Sequence, residues 1–171
     1  MKPVEPDAIE LERFLPYRLS VLTNVVSSAI ADAYRRRFGL SIPEWRVIAV
    51  LARHPGISAA AVAELTRMDA VAVSRAVSRL LRAGRLRRTV ARDDRRRSVL
   101  SVSRAGAAVY REVAPLALRF ERELLDGMSC TDRAALDRAL DALTARAQAL
   151  AGALQQTSAD TPRTARRAAG L

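Results

Sequence analysis

Histidine and cysteine occur once each in these 171 residues, as His54 and Cys130. A lone thiol excludes an intrachain disulfide, and one thiol with one imidazole falls short of a metal-ligand set. A Ser–His–Asp arrangement could be built only around His54. No glycine-rich phosphate loop and no metal-ligand spacing is present. Enzyme function is therefore disfavoured, with no catalytic residue, metal or cofactor to assign. No apolar run approaches the roughly 20 residues that span a bilayer, so no membrane partner is expected. The N-terminal MKPVEPDAIE is acidic and polar, unlike a secretory signal. The cytoplasm is the expected compartment. Lysine is also nearly missing, since Lys2 is the only one.

What is present is apolar bulk and arginine. Half the residues are hydrophobic, and the net charge is +11. That composition is globular rather than disordered. Between Arg82 and Arg97 stand eight arginines and two aspartates, a net +6. A charge run is most often a solvated face, and genome composition can favour arginine. Adjacent guanidinium groups nevertheless repel one another. A turn that keeps Arg95, Arg96 and Arg97 together is aimed at something negative.

The spacing places the elements around that turn. Residues 1–8 read as a disordered N-terminus. Apolar residues at helical spacing run from about Ile9 to Phe38, with Pro16 able to kink or restart the helix. Gly39 stops it. SIPE (41–44) is a capping box that opens a helix to about His54, with Trp45, Ile48, Leu51 and Ala52 on one face. HPG ends it, and Ser58 caps a short helix through about Thr66 that buries Val62 and Leu65. Asp69 caps the next helix. On that helix Val73, Val77, Leu80 and Gly84 share one face. Val71, Arg75, Ser78 and Arg82 share the other, flanked by Ser74 and Arg79. Residues 85–90 and 98–103 alternate like strands, so ARDDRRR (91–97) is a hairpin tip. Ser103 caps a helix to about Asp126, with Pro115 inside it. SCTD (129–132) is a further box. After it, Leu136, Leu140, Leu143, Ala147, Leu150 and Leu154 repeat at spacings of four and three. That seam suits either the chain's own core or a partner helix. Residues 155–171 read as a disordered basic tail.

A short helix, a capped helix with a polar outer face and a charged hairpin make a helix-turn-helix with a wing. The fold class is mainly α with a small β-hairpin wing. A helix fits the major groove of B-DNA. There Arg75, Ser78 and Arg79 could reach base edges and phosphates, with Val71 and Ser74 on the same stripe. Arg87, Arg88 and the helix N-terminus at Ser58 could hold phosphates. An arginine of the tip could enter the minor groove.

The wing DDRRRSVLSVSRAG resembles the D-x-R-x-x-x-hydrophobic-x-Leu-Thr-x-x-Gly signature of MarR-type winged helix regulators. Asp94, Arg96, Leu100 and Gly106 stand in place, while Val102 replaces the usual Leu and Ser103 the usual Thr. VSRAVSRLLRAGRLRR is similar to the family's recognition helix and first wing strand, and IPEWRVIAVLARHPGIS to its second helix. The resemblance covers roughly residues 10–154. It implies a homodimer joined by dimerisation helices at 9–40 and 104–154, around a winged helix-turn-helix at 41–103. Leu15, Leu22, Leu136, Leu140, Leu143 and Leu150 would lie at that interface. It implies that Asp94 orients the wing while Arg95 and Arg96 face DNA. It also implies an effector cleft, which by position Tyr17, Trp45, Arg46, His54 and Tyr110 could line, although each also suits core or surface. Cys130 reads as structural.

The expected function is a double-stranded DNA-binding transcriptional regulator, a homodimeric repressor of a palindromic operator that responds to a small aromatic ligand. An architectural DNA binder and an RNA-binding winged helix remain alternatives, separable by sequence preference and by preference for A-form or single strands.

Overall fold

Proline, glycine and small oxygen side chains set the element boundaries in the computed structural model, which describes residues 9–90 and 98–159. Helix α1 (Leu15–Phe38) begins at Leu15, later than the apolar spacing predicts. Pro16 sits in its first turn, where a missing N–H leaves no bond unmade, so the proline starts this helix instead of kinking it. Gly39 ends it in the left-handed region, φ 62°, and donates to the Arg35 carbonyl at 2.8 Å.

Helix α2 (Ile42–Arg53) opens on the SIPE box. The Glu44 carboxylate accepts from the Ser41 N–H at 2.7 Å and from its hydroxyl at 2.8 Å. Glu44 is buried, and this pairing is what makes its burial tolerable. The buried face of α2 is Val47, Ile48 and Leu51; Ala52 lies exposed on the other side, against expectation. Helix α3 (Ala59–Thr66) is capped by Ser58, which accepts from the Ala61 N–H at 3.1 Å. It buries Val62 but not Leu65, which is 54% exposed, because so short a helix meets its neighbours along one narrow line. Helix α4 (Ala70–Arg82) is capped by Asp69, whose carboxylate accepts from Val71 and Ala72 at 2.9 and 3.0 Å. Val73, Ala76, Val77 and Leu80 form its buried face.

Strands β1 (Leu86–Val90) and β2 (Ser98–Val102) pair antiparallel, with Leu86 opposite Val102 and Val90 opposite Ser98. Ile57 adds a third, one-residue rung that the sequence pattern does not reveal. Leu100 donates to the Ile57 carbonyl at 2.8 Å, and Gly56 donates to the Leu100 carbonyl at 2.9 Å. Gly56 can do so because its φ is +79°. Helix α5 (Arg104–Leu124) carries Pro115 inside it and stops at Leu124, short of Asp126.

The chain divides into two compact units, residues 1–122 and 123–171. The core lies in the first. Ala31 and Tyr34 of α1, the buried faces of α2 and α4, Val62, Leu86, Leu100 and the α5 valines Val109 and Val113 form one cluster. In the second unit, helix α6 (Cys130–Ala159) starts from the Ser129–Asp132 box, with a 2.7 Å hydroxyl–carboxylate bond. Its helix runs on through Gln155 to Ala159, past the expected start of the tail. Residues 1–8 and 160–171, both expected to be disordered, lie outside the described residues. Among the described residues no helix is long and apolar enough to cross a membrane.

Ser103 is the buried joint between β2 and α5. Its hydroxyl donates to the Gly84 carbonyl at 2.6 Å and accepts from the Gly106 N–H at 3.1 Å, while its own N–H donates to the Arg85 carbonyl at 3.0 Å. Gly106 is required for close approach: a Cβ there would collide with the Arg85 carbonyl oxygen and lie 2.8 Å from Cγ1 of Val102. Gly106→Ala should therefore destabilise the fold by about 1–3 kcal/mol. Urea denaturation of the variant checks this, and an unchanged midpoint would show that the joint can open.

Candidate nucleic-acid interface

Helix α4 turns its apolar side inward and exposes Val71, Ser74, Arg75, Ser78 and Arg79 together on the other. The Asp69 cap fixes the first turn of that stripe, so its residues are held at helical register from Val71 onward. Arg75 and Arg79 are one turn apart. Neither is ion-paired among the described residues. They line an open cleft of ≈ 270 Å³ whose other walls are Ser41, Pro43, Ala72 and Ala76. Arg82 folds back on its own helix, where its Nε donates to the Ser78 carbonyl at 3.4 Å.

Ser58, an expected phosphate contact, is half-buried, and its hydroxyl already accepts the Ala61 N–H. Arg87 and Arg88 are both exposed on β1. The ladder places Arg87 opposite Ser101 and Arg88 opposite Leu100, so the two side chains leave opposite faces of the ribbon. Asp94, Arg95, Arg96 and Arg97 lie outside the described residues. The strands that carry the tip run from Leu86 and Leu100, both buried, to Val90 and Ser98, both exposed. The ribbon thus grows out of the core and into solvent.

Of the expected effector residues, the structure brings together Trp45, Arg46 and Tyr110. Trp45 stacks on Tyr110 with ring centres 5.8 Å apart and planes at 20°. On its other side Tyr34 stands at 5.8 Å and 32°. Spacing of this kind is ring-to-ring contact. Tyr34 is fully buried, and burial pushes its phenol above the ordinary 10.0, against the lowering fields of Arg46 and Arg35. Arg46 donates to the Ser27 hydroxyl at 3.2 Å, linking α2 to α1. His54 caps the far end of α2 and is exposed, and Tyr17 is exposed in the first turn of α1. Neither joins the stack.

Three features escape the sequence pattern. Tyr34 reads as one more apolar position of α1, with nothing to mark it as a ring partner of Trp45. Arg67 turns the chain between α3 and α4 with φ +52°, a conformation L side chains seldom adopt. Arg85 turns inward although it belongs to the arginine cluster, and its guanidinium donates to the Phe38 carbonyl at 2.6 Å.

A capped helix with an unpaired basic stripe, set before an arginine-bearing ribbon on a buried base, is a winged helix. Residues 38–97 match the family model described as MarR family. That segment is similar to the MarR family, and the fold is a winged helix. No curated protein matches it in sequence. Among solved structures it resembles a MarR/EmrR family transcriptional regulator from Acinetobacter sp. ADP1, with a TM-score of 0.76 at 24% identity over 82% of this chain and 99% of that one. It is also similar to MepR of S. aureus, solved as a DNA complex, with a TM-score of 0.72 at 14% identity over 79% and 97% of the two chains. BpsR of Bordetella bronchiseptica gives 0.71 at 18% identity over 80% and 97%; its structure concerns regulation of DNA binding by 6-hydroxynicotinic acid. At these identities the structural likeness speaks for the fold.

Proposed function

We propose that this protein is a homodimeric transcriptional regulator in the cytoplasm. It represses from a palindromic double-stranded DNA operator and is released by a small aromatic ligand. The observation that carries the DNA reading is the exposed Arg75–Arg79 stripe, without an ion pair among the described residues, on a helix whose opposite face is core. A helix of this width fits a major groove. Arg75, Ser78 and Arg79 read or grip from the helix, with Val71 and Ser74 beside them. Arg87, Arg88 and the Ser58 end of α3 face phosphates, and Arg95, Arg96 or Arg97 enters the minor groove under the orientation of Asp94. The MepR–DNA complex, a neighbour in fold, supports this use of the scaffold.

Dimerisation is supported by apolar side chains left in solvent. Leu15 and Leu22 of α1 are exposed, as are Leu136, Leu140, Leu143 and Leu150 of α6. Exposed apolar stripes of that extent mark contact surfaces. The effector reading rests on the aromatic stack with Arg46 beside it, a setting for an aromatic acid, with Tyr17 and His54 as the outlying candidates. The BpsR neighbour, regulated by 6-hydroxynicotinic acid, supports that chemistry.

Selection of bound DNA from a random duplex pool tests the DNA reading. A palindrome with half-sites about one turn, roughly 34 Å, apart is expected. Sequence-blind binding would make it an architectural protein, and preference for A-form or single strands an RNA binder. On the selected operator, Arg75→Ala should cost about 1–3 kcal/mol and relax one base pair in each half-site. Arg96→Ala should instead flatten the slope of log K against log salt by up to about one unit.

Leu143→Asp should give monomer or aggregate and abolish operator binding, because each buried leucine of such a seam contributes about 1.5–3 kcal/mol. Light scattering checks it, and a variant that stays dimeric and binds normally would return the seam to the chain's own packing.

A panel of aromatic acids should include compounds that change the fluorescence of Trp45, the only tryptophan, and weaken operator binding in parallel. A panel with no effect on either would remove the effector reading.

A further inference from the structure

Arg85 departs from the pattern of its cluster. Arg82, Arg87 and Arg88 are exposed, whereas Arg85 is half-buried. Its guanidinium reaches 47 residues back along the chain to the Phe38 carbonyl, 2.6 Å away. Phe38 is the last residue of α1, so that carbonyl has no partner within its own helix. A cation at a helix C-terminus also meets the negative end of the dipole. The backbone of Arg85 is held just as firmly. Its N–H donates to the Leu80 carbonyl of α4 at 2.9 Å, and its carbonyl accepts from Ser103 at 3.0 Å. One residue therefore bonds the end of α1, the end of α4 and the base of the wing.

A second bond holds α1 farther up, where Ser27 accepts from Arg46 of α2 at 3.2 Å. Ser27 and Phe38 stand about 16 Å apart along a helix rising 1.5 Å per residue. Two fixed points along a rod set its direction. Removing the lower one leaves α1 held by Ser27 and by the buried Ala31 and Tyr34, with its C-terminal end less constrained.

We propose that Arg85 is a positioning residue: by tying Phe38 of α1 to the α4–β1 joint, it sets the angle between the dimerisation helix and the recognition helix, and so the half-site spacing that the dimer accepts. The proposal rests on the DNA-binding dimer reading above. It assigns Arg85 no contact with DNA, although it lies amid arginines that face it. The distinction is measurable, because an arginine that neutralises a phosphate contributes to the salt slope and one bonded to a carbonyl does not.

The experiment uses the full chain and three duplexes: the operator selected by the wild type, and that operator with one base pair inserted or deleted between half-sites. Wild type should bind the altered duplexes at least tenfold more weakly. Arg85→Met keeps the stem but removes the donors. It should bind the selected operator about tenfold more weakly, the scale of one charge-assisted hydrogen bond. It should distinguish the three duplexes less than wild type does, with the salt slope unchanged. Arg85→Lys, which can still donate to Phe38, should restore much of the spacing preference, and it gives the same readout if the Met variant does not fold. A slope lowered by about 0.9 with spacing preference intact would overturn the proposal and make Arg85 a phosphate contact. Variants that both match wild type on all three duplexes would overturn it too. If the wild type selects no duplex at all, the DNA reading itself has failed, which is a different result from a bound operator indifferent to Arg85.

Discussion

The Ser103 hydroxyl donates to Gly84 at the end of α4 and accepts from Gly106 in the first turn of α5, so both of its hydrogen-bonding roles are spent on backbone. The wing and the recognition helix both depend on this buried contact. A two-stranded ribbon is marginal in water when nothing supports its base. Here the base is held three times: by Ser103 to Gly84 and Arg85, by Ile57 to Leu100, and by the burial of Leu86 and Leu100. Beyond Leu86, β1 makes no further contribution to the core. Support at the root holds the paired strands out from the core as far as Val90 and Ser98.

The division of labour between apolar and basic residues follows from the same constraint. Every arginine of α4 and β1 could in principle find a carboxylate, and elsewhere the chain does pair them: Arg35 with Asp32, and Arg37 with Glu112 of α5. Those pairs are exposed and contribute little stability. At the start of α4, Asp69 is spent on the Val71 and Ala72 amides. Among the described residues Arg75 and Arg79 have no ion pair, and such uncompensated like charge carries a cost in self-repulsion.

The sequence makes legible whatever is decided within a turn or two of chain. The Ser41–Glu44 and Ser129–Asp132 boxes, the Asp69 cap, the inward and outward faces of α4 and the two strands all depend on neighbours a few residues apart. What the sequence hides is decided by distant partners. Leu65 reads as core by spacing, yet α3 is too short to bury it. Ile57 gives no strand signal, because its one rung exists only when β2 arrives from 43 residues later. Arg85 reads as one more cation of the cluster until Phe38 is seen beside it. Pro16 is ambiguous between a kink and a start until it is seen in the first turn of α1, where its missing N–H leaves no helical bond unmade. Within the interface, the α4 stripe was legible as a periodic pattern, while the Trp45 stack required three elements to meet.

The stack and the joint also limit how any ligand could act on this fold. A ligand shifts a two-state protein only by its difference in affinity for the two states, at about 1.4 kcal/mol per tenfold change. Tyr34, Trp45 and Tyr110 are already in ring contact, so a bound aromatic group must replace one of these contacts with its own. The replacement is close to neutral in apolar area, and what remains to discriminate is polar. Arg46 is one of two cations whose fields reach Tyr34 of the stack, and its bond to Ser27 is one of the ties between α2 and α1. An anionic ligand that takes the Arg46 guanidinium competes directly with that tie. A carboxylate that broke this bond would loosen one tie between α2 and α1, and any difference in its affinity for the tied and untied forms would arise there without an empty cavity.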